Sequence, residues 1–174
     1  MAPPRVQPTR HEVTFGEDEI IVSKTDPKGI ILYANRTFLK VSGYSEAEIL
    51  GQPHNCIRHP DMPRCVFKLL WDTIASGNEL FAYVKNMAKS GDYYWVFAHV
   101  TPTFGPNRRI IGYHSSRRSP QRRQVELFDG IYAKLLAEEA RHADWREGMA
   151  SATRMLLAAV AERKMDYAEF VFSA

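Results

Sequence analysis

The sequence predicts an α+β fold: a five-stranded antiparallel sheet with short helices on one face, followed by a C-terminal helical appendage. Three observations carry the prediction. Before residue 118, short apolar segments are bounded by Gly, Pro and Asp turn words. Between the second and third of these segments the apolar residues fall at helical spacing instead. After Pro120, long repeats at helical spacing rich in Ala, Leu and Glu take over. With 174 residues, 45% of them hydrophobic, the chain can bury one real core and carry a few extra helices. It divides into an N-terminal arm over 1–17, a principal domain over 18–118 and C-terminal amphipathic helices over 119–174 for packing, dimerisation or partner binding.

The arm carries Pro3, Pro4 and Pro8 among polar residues and has no periodicity, so it is expected to be mobile or to cap a neighbouring surface. Ile20 to Thr25 and Ile30 to Ala34 make two strands joined at Asp26-Pro27-Lys28-Gly29 as a hairpin. Asn35 precedes Phe38, Leu39 and Val41, where its side chain can cap a helix that Gly43 ends. Ser45 with Glu48 forms a capping box for a one-turn helix that stops at Gly51. From about Met62 to Ala75, Val66, Phe67, Leu69, Leu70, Trp71 and Ile74 give a helix with a broad apolar face, closed by Gly77. Strands follow over Phe81–Met87, Tyr93–Thr103 and Ile110–Ser115, turned at Lys89-Ser90-Gly91-Asp92 and Gly105-Pro106-Asn107-Arg108. Val125, Phe128, Ile131, Tyr132 and Leu135 mark one long helix, and Trp145 to about Arg163 a second, before the apolar tail Phe170-Val171-Phe172. These helices can fold on each other, cover the open face of the sheet or pair with a second chain.

A net charge of +3 with basic and acidic residues interleaved favours no polyanion, so nucleic acid is not expected as a partner. No apolar run approaches the roughly eighteen residues of a membrane span and no secretory signal is present, so a cytoplasmic chain with reduced Cys56 and Cys65 is expected, without direct membrane insertion. No nucleophile-base word, phosphate-binding Gly loop or spaced metal-ligand set occurs; the chain is read as a binding module, not an enzyme. The chemistry concentrates in the connector from His54 to Pro63, which holds His54, Arg58, His59, Asp61 and two prolines. Such a stretch is poor core and better suited to a polar, anionic ligand.

The order strand, strand, three short helices, three strands resembles the PAS arrangement. Residues 20 to about 118 resemble in particular the sensor domains of the aerotaxis-receptor (Aer) type. The resemblance is carried by Ala34-Asn35 with Thr37-Phe38, Val41-Ser42-Gly43-Tyr44, Gly51-Gln52-Pro53-His54-Asn55, Arg58-His59-Pro60-Asp61-Met62-Pro63, and Lys85-Asn86 with Gly91-Asp92 and Tyr94-Trp95-Val96. It implies noncovalent flavin adenine dinucleotide (FAD) and a report of redox state or oxygen to the chemotaxis machinery. Phe81 stands where that pattern carries a tryptophan over the flavin, and Cys56 where it carries an apolar residue. Residues 121–174 do not continue into a membrane anchor and signalling coiled coil, so a free-standing soluble sensor is expected. It would act on a separate transducer of the methyl-accepting chemotaxis type and has homodimerisation open to it.

The resemblance places Arg58 and His59 at the cofactor, where Arg58's planar fork suits phosphate oxygens; the alternative is an Arg58–Asp61 ion pair that staples the connector. Asp61 would orient Arg58 or His59 in either case. Asn86 is expected at the pyrimidine edge of the ring, and Asn35 either there or spent as a helix cap. His54 is read as a ring nitrogen near the flavin or as a loop histidine bonded to backbone. Phe67, Trp71 and Tyr94 wall the ring or serve as ordinary core. His114 sits on the last strand, where blue-light-sensing relatives use a glutamine, and faces either the ring or solvent. Asn55-Cys56 invites comparison with the photoreceptors that form a thiol adduct with flavin, but the sequence after the cysteine follows the aerotaxis pattern. A cofactor-free interaction and dimerisation module and a haem-based oxygen sensor are the alternatives to the FAD reading.

Overall fold

A hairpin, three short helices and three further strands, in that order, build the core of the computed structural model, which describes residues 6–174. The strands are β1 (Ile21–Thr25), β2 (Ile31–Ala34), β3 (Leu80–Met87), β4 (Tyr93–Phe104) and β5 (Ile110–Arg118). They form one antiparallel sheet in the order β2-β1-β5-β4-β3, so the last strand enters between the first and the fourth. Between β2 and β3 lie α1 (Arg36–Ser42), α2 (Glu46–Ile49), a single 3-10 turn over His54–Ile57, and α3 (Arg64–Ala75). Asn35 caps α1, and Ser45 and Glu48 close the expected capping box at α2.

Period-two alternation gives the sheet two different faces. Ser23 pairs with Ser115, Arg117 with Ala98, Val84 with Val96 and Asn86 with Tyr94, which puts all of these on the inner face, toward α1 and α3. The outer face carries Phe81 opposite His99, Tyr83 opposite Phe97, and Lys85 opposite Trp95. That aromatic face is what the C-terminal helices cover. In α4 (Arg122–Ala140), Phe128 lies 4.4 Å from the Tyr83 ring and Tyr132 stacks on Trp95 at 6.1 Å. The buried Tyr132 hydroxyl donates to the Tyr83 carbonyl. The expected apolar tail is a short helix, α6 (Tyr167–Phe172), which places Phe172 against Phe81 at 4.7 Å. Between them, α5 (Trp145–Glu162) packs on both α4 and α3. Of the three arrangements open to these helices, folding on each other and covering the sheet are the two observed.

The part of the arm that is described docks beside β4: Thr9 N–H donates to the Gly91 carbonyl and Val13 N–H to the Tyr93 carbonyl. Residues 1–5 lie outside the described residues. The last strand also runs beyond its expected end at Ser115, carrying Arg117 into the inner face. No described helix is long and apolar enough to cross a membrane.

Candidate functional site

A cavity of about 320 Å³ separates α3 from the inner face of the sheet. Its apolar walls come from Phe67, Leu70, Trp71 and Ile74 on α3 and from Val84, Val96, Ala98 and Val100 on the sheet. The inner strand residues are small or β-branched, and that leaves room for a flat ligand where larger side chains would have filled the core. Polar groups enter at defined places: Asn86 from β3, Ser23 and Thr25 from β1, Ser115 and Arg117 from β5, and His54, Asn55 and Arg58 from the connector.

Arg117 dominates the electrostatics. It is 2% exposed, and among the described residues no carboxylate pairs with it. Its Nε donates to Ser115 Oγ at 3.0 Å, Nη2 donates to Ser23 Oγ, and the guanidinium lies 4.8 Å from the Phe38 ring centroid. Nη1 is buried without a partner. Burial depresses the guanidinium to about 10, with the nearby Tyr94 hydroxyl acting in the opposite direction. His54 Nε2 lies 3.2 Å from Ser23 Oγ and 3.3 Å from Arg117 Nη2. Burial and the adjacent guanidinium push His54 down to about 3, so its imidazole is neutral at pH 7 and accepts at Nε2. The result is a cationic cluster with neutral neighbours at one end of an otherwise apolar slot.

Arg58 supplies a second cation. Its Nη2 donates to the Met62 carbonyl at 3.1 Å and its plane lies 4.2 Å over the Phe67 ring. An antiparallel backbone bridge between Arg58 and Asn86 fastens the connector to the edge of β3. Trp71, 38% exposed, meets Tyr113 edge-on at 5.6 Å. A Cβ on Gly29, whose φ is +81°, would come within 2.8 Å of that indole, so glycine lets the β1–β2 turn close over Trp71.

His54, Arg58, Phe67, Trp71 and Asn86 all line the cavity. The other named residues lie elsewhere, several of them in the structural role that was the open alternative. Asn35 is a structural cap: Oδ1 accepts from Phe38 N and Val22 N, each at 3.0 Å, and Nδ2 donates to the Ile20 carbonyl. Every polar atom of that side chain is spent joining α1 to β1. Arg58 does not pair with Asp61; Asp61 binds Lys85 Nζ at 2.7 Å on the outside of the connector. His59 is buried away from the cavity, its Nδ1 accepting from Asp61 N at 3.1 Å and its ring edge-on to Tyr93. Strand alternation turns Phe81 and His114 to the outer face, with Phe81 stacked on His99 at 4.2 Å and His114 opposite Lys24 and Thr101. Tyr94 is on the inner face but packs as core outside the cavity wall, and its buried hydroxyl has no partner. Cys56 lies outside the cavity wall as well, and burial pushes its thiol up, away from the reactive thiolate.

The residues the sequence reading missed are Ser23, Ser115 and Arg117. The available signal was period two: Tyr113, Ser115 and Arg117 alternate with His114 and Ser116 once the strand is allowed to run on.

A model of the PAS fold family matches residues 31–117, from β2 to the buried arginine. The chain belongs to the PAS fold family. It is 38% identical over 129 residues to the aerotaxis receptor of Escherichia coli (strain K12), an alignment that covers 74% of this chain and 25% of the receptor. It is 28% identical over 99 residues to the nitrogen fixation regulatory protein of Klebsiella pneumoniae, covering 57% of this chain and 20% of that protein. The chain thus spans about a quarter or less of the length of these relatives. Among solved structures, the dark state of the blue-light photoreceptor Aureochrome1 LOV superposes with a TM-score of 0.56 at 26% identity, covering 62% of this chain and 80% of that one. The PAS sensor family therefore fits both the sequence and the fold, including the sheet order and the helices on its inner face.

Proposed function

We propose that this PAS chain holds FAD noncovalently between α3 and the sheet and reports redox state or oxygen to a separate chemotaxis-type transducer. The observation that carries the ligand reading is Arg117. A fully buried guanidinium with an unpartnered Nη1, facing an apolar slot, stays costly until an acceptor-rich or anionic group enters. A flavin is such a group: flat and apolar across its faces, acceptor-rich along one edge, with an anionic tail. When bound, FAD supplies a reversible redox couple.

The chain's own residues divide the remaining tasks. Val84, Val96 and Ala98 face Phe67 and Leu70 across the slot and exclude water from it. Asn86 offers both a donor and an acceptor at the β3 edge, and Arg58 offers its fork to phosphate oxygens. His54, held neutral, orders the Ser23 hydroxyl and accepts from Arg117, so a change of charge in the slot would be felt through one hydrogen-bonded cluster. Similarity to the aerotaxis receptor supports the choice of redox state as the signal and of a chemotaxis-type partner. The haem alternative has less support: His54 is the histidine in the cavity wall, and its Nε2 is already engaged by Ser23 and Arg117.

The test is an absorption spectrum of the full chain purified with FAD supplied, followed by dithionite reduction and mass analysis of the material that heat releases. Bleachable flavin bands and released FAD are the expected result; a colourless protein that refuses added FAD would overturn the reading in favour of a cofactor-free module. Arg58→Ala should lose flavin retention, and a variant that purifies fully loaded would remove Arg58 from the site.

A further inference from the structure

Helix α3 carries one whole wall of the cavity, yet it begins without a cap of its own. Pro63 at its N-cap position has no side-chain oxygen to offer, and the Cys65 amide that follows belongs to a residue with no solvent exposure. A buried N–H in the first helical turn needs an acceptor from elsewhere. Glu139 provides it from the last turn of α4: Oε1 accepts from Cys65 N at 2.8 Å, and the glutamate is 7% exposed. Its negative charge also suits the positive end of the α3 dipole.

Two features show that this contact is built into the helical appendage. α5 crosses directly over Glu139 at Gly148, where a Cβ would come within 2.3 Å of the Glu139 carbonyl oxygen. The adjoining Glu138 ties the same corner together by accepting from Ser151 Oγ at 2.5 Å and from Arg141 Nη1 at 3.1 Å. The carboxylate that caps α3 is thus held by the α4–α5 hairpin, outside the sensor domain.

Arg58 touches the same start of α3. Its two contacts bracket the capped amide in sequence, at the Met62 carbonyl and on the Phe67 ring. Burial and the neighbouring Arg64 hold the Arg58 guanidinium below its usual value and the Glu139 carboxylate acts against them, so these groups share one electrostatic neighbourhood. An anion taken by Arg58 competes with Glu139 for that positive charge and draws on the contacts flanking the α3 start. We propose that Glu139 is a positioning residue that latches α3 to the α4–α5 hairpin, and that anion capture at Arg58 loosens the latch. Binding at the cavity is thereby passed to the C-terminal helices. This rests on the reading of Arg58 as the site for the anionic tail of FAD.

Linkage fixes the sign of the test: if FAD loosens the latch, loosening the latch must tighten FAD. In the full chain, Glu139→Gln keeps the shape and an acceptor oxygen while removing the charge. It should bind FAD about fivefold more tightly. Its 135–150 peptides should exchange amide hydrogens without ligand as fast as FAD-bound wild type does. Unchanged or weaker FAD affinity would overturn the proposal, and so would tighter FAD without faster exchange over 135–150, which loss of the nearby charge alone would give. Should the variant fail to fold, wild type alone decides: FAD must speed exchange at Cys65 and across 135–150, and unaltered exchange refutes the latch. Inorganic pyrophosphate, run as a second probe, separates the two readings. Faster exchange with pyrophosphate in a chain that refuses FAD keeps the latch and removes the flavin; no response to either probe removes both.

Discussion

Replacing Arg117 by Met should cost the ligand-free protein little and damage ligand binding. Burial lowers this guanidinium from 12.5 to about 10. At 1.36 kcal/mol for each pH unit, the surroundings disfavour its charge by about 3 kcal/mol. Against that stand its charge-assisted bonds to Ser115, Ser23 and His54, of which the first two alone contribute about 1.5–3 kcal/mol each. Burial cost and bonds therefore nearly offset, and removing the charge while keeping comparable volume should lower ligand-free stability by no more than about 3 kcal/mol. The same change deletes a charge-assisted donor to the ligand, a loss of about 1.5–3 kcal/mol, or roughly 10- to 150-fold in the FAD dissociation constant. Thermal melts without ligand, paired with FAD titration by flavin fluorescence, read both effects. A variant that still binds FAD at wild-type affinity would show that Arg117 is a structural cation, and the argument for an anion-seeking slot would fall with it.

Asn35→Ala should behave in the opposite way. It deletes the acceptor of Phe38 N and Val22 N and the donor to Ile20, costing about 2–3 kcal/mol, while the folded fraction binds FAD as wild type does; urea unfolding with parallel titration checks this. His54 sets a pH dependence, since it binds its proton near 6.5 when unfolded and near 3 when folded. Its contribution is complete above about pH 6.5 and is lost as pH falls toward 3, because the unfolded chain takes up the proton first. Between pH 7 and pH 4 the loss is about 3 kcal/mol, and His54→Gln should remove that portion of the acid slope in melts recorded at each pH; an unaltered slope would place His54 in water.

The fold was largely legible because its punctuation is local. Turn words at Asp26-Pro27-Lys28-Gly29 and Lys89-Ser90-Gly91-Asp92, the Asn35 cap and the Ser45/Glu48 box each act through a few neighbouring residues, and all of them appear in the structure. The C-terminal helices were equally visible as helices, but their docking was not. Covering the outer face depends on matching Phe128, Tyr132 and Phe172 to aromatics on β3 and β4, a long-range fit that spacing cannot express. Phe81 and His114 show the same limit from the other side. Their place in a family pattern suggested a ligand contact, whereas strand alternation from Ala82, Val84 and Asn86, and from Tyr113, Ser115 and Arg117, turns both away from the cavity.

The site was read through its connector, and that reading recovered the cavity's outer rim more readily than its inner end. His54 and Arg58 stand in a stretch that is conspicuously poor core, so their chemistry shows in composition alone. Arg117 is hidden by the same rule used in reverse. Charge at the end of an apolar strand ordinarily marks the return to solvent, and Arg117-Arg118 looks like such an ending. Only Arg118 is exposed; Arg117 follows Tyr113 and Ser115 inward because the pleat leaves it no other direction. A buried charge is tolerated where something outside the chain completes it, so the residue that most violates the burial rule is also the one that best defines what the slot is for.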